Sequence, residues 1–216
     1  MDEWITIPQL NKITRKAYAL EKVVERCRKL IVRGETCYVS NDLKKAEEYF
    51  TKADDALEDV KSDIDCIMDG RYQAQARAKL GLAQCWARGG QWSDAEEMFD
   101  EALWTCDECT NGEDEDVLEI KALAMLGLAK VRDLIFEHEM SGEGGGEESY
   151  LESYDGRSWP DEEYESAAEF LQPLVDKNPE RFEPVLLDVK TALSRCVCSG
   201  EVDENADCSS CIPGRF

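Results

Sequence analysis

Histidine is almost missing from this chain: His138 is the only one among 216 residues. That scarcity removes paired-imidazole metal sites and most histidine-based acid–base catalysis from consideration. Phosphate-cradling glycine loops and nucleophile elbows are missing as well, so no enzymatic activity is expected. No run approaches the ~18 apolar residues of a membrane span. The opening stretch MDEWITIPQLNKITRK has no basic start followed by an apolar core, so it does not read as a secretory signal. The expectation is a cytoplasmic or nuclear protein whose cysteines are mostly reduced. Positive charge is also scarce. Against 48 Asp+Glu stand 25 Lys+Arg, for a net charge of −23. Such a surface is repelled by nucleic acid and by anionic membranes, which leaves proteins as the expected partners.

What the chain does have is internal repetition. In the segment LAQCWARGGQWSDAEEMFDEAL, Leu82, Ala83 and Trp86 share a helical face, and Gly89-Gly90 supplies a left-handed stop. Ser93 with Glu96 has the spacing of a capping box for the next helix. Ala95, Phe99 and Ala102 then form a second apolar face. The same grammar occurs upstream, with Leu30, Gly34 and Cys37, the turn Ser40-Asn41-Asp42, then Leu43, Ala46, Phe50 and Ala53. A third copy begins at Leu128 and Ala129 and resumes at Ala167, Leu171 and Leu174, with Pro179 as terminator. Each copy is a helical hairpin with small residues where its two helices touch.

This pattern resembles the tetratricopeptide repeat, a hairpin of about 34 residues. The middle copy carries the resemblance best, through Leu82, Ala83, Trp86, Gly90, Trp92, Ala95, Phe99 and Ala102. The first copy departs from the family at Arg33, where an apolar residue is usual, and the third at Arg132, where an aromatic is usual. The spacing departs too: Ala46 and Ala95 are 49 residues apart, and Ala95 and Ala167 are 72 apart. The excess implies lengthened helices around 58–74 and an acidic, Gly-rich insertion at 139–162. A bundle of long helices without the solenoid is the structural alternative.

The resulting expectation is an all-α fold: a short right-handed solenoid of about three hairpins with long helices and a C-terminal capping helix over 181–196. Residues 1–8 are read as a tail and 9–197 as the repeat domain, with residues 9–26 as extra helix ahead of the first hairpin. Residues 198–216 are read as a cysteine-containing tail.

Charge is distributed unevenly between the helices. Residues 71–90 hold Arg71, Arg77, Lys79 and Arg88 and no acid, whereas 93–116 hold eleven acids and no cation. In the first two hairpins the first helices are basic and the second helices acidic. In the family it resembles, first helices line a concave groove for a partner peptide. That alignment makes Arg28, Tyr38, Arg77, Gln84, Arg88 and Lys130 the groove candidates, for a protein partner with an acidic or phosphorylated segment. The other reading is that the two helix classes merely neutralise each other. The positions matching the family's carboxylate clamp are Ile31, Glu35, Gly81, Leu123 and Gly127, which do not fit a chaperone tail.

The remaining chemistry lies in cysteine. Cys196, Cys198, Cys208 and Cys211 form a set that zinc would accept as four thiolates, although the first pair has one intervening residue rather than two. The function expected first is a non-enzymatic protein-binding adaptor; the alternative is a zinc-binding or thiol-redox protein. Cys106 and Cys109 form a second C-x-x-C, but the surrounding acids disfavour a thiolate. Cys27, Cys37, Cys66 and Cys85 sit at helical positions as small core residues.

Overall fold

The structure, a computed structural model, describes residues 7–60, 65–110, 112, 114–140 and 160–200. All the secondary structure among them is helical. Seven helices follow in order: α1 (Ile7–Val39), α2 (Leu43–Glu58), α3 (Asp65–Gly89), α4 (Trp92–Asp107), α5 (Glu115–Met140), α6 (Pro160–Lys177) and α7 (Pro179–Gly200). None of the described helices is long and apolar enough to cross a membrane. The chain divides into two compact units, Met1–Ile120 and Lys121–Phe216.

Within the first unit, α1 packs on α2, α2 on α3, α3 on α4, and α1 beside α3. The spacing of apolar residues explains the arrangement. Helix α2 buries Ala46, Phe50, Ala53 and Leu57, and α4 buries Ala95, Phe99, Ala102 and Cys106, each at alternating steps of four and three. Residues 9–26 do not form a separate helix but are the first part of α1, which is 33 residues long. The lengthening expected around 58–74 resolves into the end of α2 at Glu58 and the early start of α3 at Asp65.

The two turns that close the hairpins are conformational copies. Asn41 has φ 61° and Gly90 has φ 81°, the left-handed region that asparagine and glycine tolerate. In both turns the next amide reaches back five residues, Asp42 N–H to the Cys37 carbonyl and Gln91 N–H to the Trp86 carbonyl, each at 2.9 Å. Both helix caps, Asp42 and Gln91, sit at φ −90°, ψ 68°. At the far ends, Val60 N–H donates to Leu57 and Cys109 N–H to Cys106, each at 3.1 Å. Every one of these equivalences spans 49 positions, so the 49-residue spacing of the alanines is the offset between the two hairpins of the first unit.

One detail of the second turn differs from expectation. Helix α4 starts at Trp92 with Gln91 as its cap and no side-chain capping bond, so Ser93 and Glu96 do not form a capping box. The Ala95 amide already bonds the Gln91 carbonyl at 3.0 Å, which places Ser93 inside the first turn. Glu96 is buried. In the first turn Asp42 does cap, accepting from the Lys45 amide.

Phe50 is the centre of the first unit's core. Its ring is 2% exposed and lies between two glycines of neighbouring helices. A Cβ on Gly34 of α1 would meet the ring at 2.7 Å, and one on Gly81 of α3 at 2.5 Å. Both glycines are therefore required by close approach. Polar groups tie the same helices together. Arg71 Nε donates to the Leu57 carbonyl at 2.7 Å and so satisfies the end of α2. Trp86 Nε1 donates to Glu47 at 3.1 Å. Lys79 is mostly buried and pairs with Asp54 of α2 at 3.5 Å and with Glu101 of α4.

In the second unit α6 and α7 pack as an antiparallel pair across a one-residue link. Tyr164, Ala167, Leu171 and Leu174 of α6 and Phe182, Leu186 and Val189 of α7 are buried. Pro179 ends the hairpin's first helix by beginning the next, where its missing N–H costs nothing. The two residues that broke the family pattern have different environments. Arg33 is exposed, whereas Arg132 is buried and ion-paired with Glu163 of α6. Beside them the Tyr164 hydroxyl donates to Asp133 at 2.8 Å. The expected insertion falls largely on residues 141–159, which lie outside the described residues.

Candidate functional site

The groove candidates of the first unit fall on the seam where α1 and α3 lie side by side. Arg77, on α3, is at its centre. Its Nε donates to Glu35 Oε1 of α1 at 2.9 Å, and its Nη1 lies 3.3 Å from Glu119 Oε1 at the start of α5. Burial works against the guanidinium's charge, but Glu119 and Glu35 outweigh it and its pKa is raised. One arginine thus clips three first helices together. Near it, Gln73 donates to Asp116 at 3.1 Å.

Arg88 is three turns further along α3 and is exposed. Its guanidinium lies 5.3 Å from the centroid of the Tyr38 ring on α1, and its Nη1 donates to the Tyr38 carbonyl at 3.4 Å. Tyr38 and Gln84 are both half-buried, and Gln84 is one turn before Arg88 on the same helix. Arg28 is exposed at the other end of the seam, close to Gly70 at the start of α3. Lys130 is exposed and belongs to the second unit. The seam thus carries two exposed arginines flanking one that the fold has already paired. Glu35 and Glu119, neither of them among the groove candidates, are what neutralise its centre. No local signal marks Glu119, which lies 42 residues from Arg77 in the sequence and reaches it only through packing.

The four terminal cysteines are not tested by the geometry. Cys208 and Cys211 lie outside the described residues, as do the side chains of Cys196 and Cys198. Among the described residues no group of three or more cysteine, histidine or acidic side chains is arranged to hold a metal. Cys27, Cys85, Cys106 and Cys109 are buried and Cys37 is half-buried, and none of these five is in a disulfide. The second C-x-x-C, Cys106 at the end of α4 and Cys109 just past it, is therefore buried rather than open to solvent.

Cys85 provides a pH readout of this core. Burial, helped by the nearby Glu47 carboxylate, pushes its thiol up to about 11 from an ordinary 9.0. Between those two values the unfolded chain loses a proton that the folded chain keeps, so stability falls as pH rises. Lys79 acts in the same direction. Burial lowers its pKa, but Glu101 and Asp54 together raise it, so its contribution is present at neutral pH and lost on the alkaline side. The melting temperature is expected to decline between pH 9 and about 11. In Cys85→Ala that decline should be shallower; an unchanged slope would show that the thiol does not sense the interior.

The chain matches no family model, no curated protein and no solved structure. None of these comparisons identifies a tetratricopeptide family, and the two matching hairpin turns show only that the first unit repeats itself.

Proposed function

We propose that this protein is a non-enzymatic adaptor whose first-helix seam, between α1 and α3, holds an acidic or phosphorylated segment of a partner protein. The observation that carries the reading is the Arg88–Tyr38 pair. An exposed guanidinium held over a tyrosine ring of the neighbouring helix is a pre-oriented cation. Its fork has five donors, more than the one carbonyl bond uses, and planar forks suit carboxylate and phosphate oxygens. Arg28 at the other end of the seam offers a second cation, and Gln84 a polar neighbour. A protein with net charge −23 repels most acidic surfaces, so a local basic seam selects for a segment that reaches it.

The test is substitution at Arg88. Arg77 is a poor probe, because a glutamate there would meet Glu35 and Glu119 and disturb the helices themselves. Arg88→Glu should leave helicity unchanged because the side chain is exposed. It should lower the melting temperature only slightly, through the lost cation in the last turn of α3 and its contact with Tyr38. Arg88→Gln, which adds no negative charge there, controls for that loss. Partners retrieved by affinity purification and identified by mass spectrometry should be lost or weakened roughly tenfold, with capture falling as salt is added. Retrieval at normal strength by the variant would move binding away from the seam.

A further inference from the structure

The seam leaves the opposite surface of the first unit unexplained. Helix α4 turns Ala95, Phe99, Ala102 and Cys106 inward. A tryptophan occupies the middle of the outward face: Trp104 is 66% exposed, among the most exposed large apolar side chains of the described residues. At helical spacing around it lie Glu97, Asp100, Asp107 and Glu108, all exposed, with Glu101 at the edge of the stripe. No lysine or arginine occurs between residues 93 and 116. Solubility accounts for the acids but not for the indole. Water penalises its exposure, and α4 would be equally helical with a polar residue there.

We propose that the Trp104 face of α4 is a second docking surface, and that its occupant is an extended lysine- or arginine-rich segment of a partner protein. A tryptophan face is the best aromatic platform for a cation, and the flanking carboxylates raise the local concentration of cationic chains. The dimensions agree with an extended occupant. Glu97 to Glu108 spans about 16 Å at 1.5 Å per residue, the length of roughly five extended residues. Successive turns lie about 5.4 Å apart, against about 6.6 Å for two residues of a strand, a difference that the long, flexible lysine or arginine side chain spans. A cation at every second position would therefore meet successive carboxylates, with one of them over the indole. An anionic lipid surface is repelled by this face, and a simple divalent cation has no use for the tryptophan. This surface is independent of the α1/α3 seam and does not rest on the function proposed for it.

The probe is a synthetic peptide of about nine residues with lysine at alternate positions, fluorescently labelled and titrated with the full chain at low salt. Binding is expected to weaken steeply with added salt. Trp104→Ala should weaken it roughly tenfold while Trp104→Phe retains most of it. Glu97→Lys with Glu108→Lys should weaken it more. Lysine at position 108 sits at the helix C-terminus, where a cation is favourable, so the fold is not at risk. The same charge change on exposed residues of α6, Glu162→Lys with Glu165→Lys, should alter binding less than about twofold. The proposal is overturned if the wild-type chain does not bind, if Trp104→Ala binds as well as wild type, or if the α6 control loses as much as the α4 variant.

Discussion

Phe50→Ala should destabilise the first unit by about 3–5 kcal/mol, the usual cost of emptying an aromatic site in a core that cannot collapse. The ring fills the space between Gly34 and Gly81, whose backbones belong to two different helices. Removing it separates α2 from both neighbours at once. The reverse experiment probes the same contact. Gly81→Ala gains up to about 1 kcal/mol of helix propensity, which on an exposed helix would stabilise. Here the added methyl meets the ring at 2.5 Å, and Gly34 on the other side denies the ring room to retreat. Net destabilisation of about 1–3 kcal/mol is expected from overpacking. Combining Gly81→Ala with Phe50→Leu should cost less than the sum of the two, since each relieves the other. Urea unfolding followed by circular dichroism measures these variants together with Phe50→Leu alone, which completes the cycle. Additivity, or stabilisation by Gly81→Ala alone, would show that the ring is not clamped.

Glu163→Gln in the second unit should be comparably damaging, about 3–5 kcal/mol, because it removes the carboxylate charge from a buried ion pair with Arg132. Both side chains are less than a tenth exposed. Arg132→Met should also destabilise, because it removes the guanidinium from the same buried ion pair. The double variant Arg132→Met with Glu163→Met removes both charges and should recover most of the loss, since well-packed apolar pairs often match a buried ion pair. A double variant as unstable as Glu163→Gln alone would mean that the pair's hydrogen bonds, and not its charge balance, hold α5 to α6.

Much of this architecture was legible in the residues. The alternation of Ala46, Phe50 and Ala53, repeated at Ala95, Phe99 and Ala102, defines a helix face whatever surrounds it. Asn41 and Gly90 mark turns because few other residues accept a positive φ. The helix boundaries were less legible. Ser93 looks like a cap by composition, but the turn geometry after Gly90 gives that place to Gln91. Neither the division into two compact units nor the passage of α1 through residues 9–39 without a break was evident from local pattern.

The candidate site shows the same limit. Its cations can be counted along the chain, but their state depends on partners distant in sequence. Arg77 and Arg88 look alike as letters, both basic and both on one helix. The fold pairs Arg77 with Glu35, 42 residues away, and leaves Arg88 exposed over Tyr38. Arg33 and Arg132 both break the repeat pattern, yet one faces water and the other is buried against Glu163. Local sequence determined the helices, the turns and the 49-residue offset of the two hairpins, because these depend on propensity and on spacing within a few residues. Tertiary structure alone decided which charges are spent inside the protein and which remain outside, because desolvation and ion pairing are set by neighbours that only packing brings together.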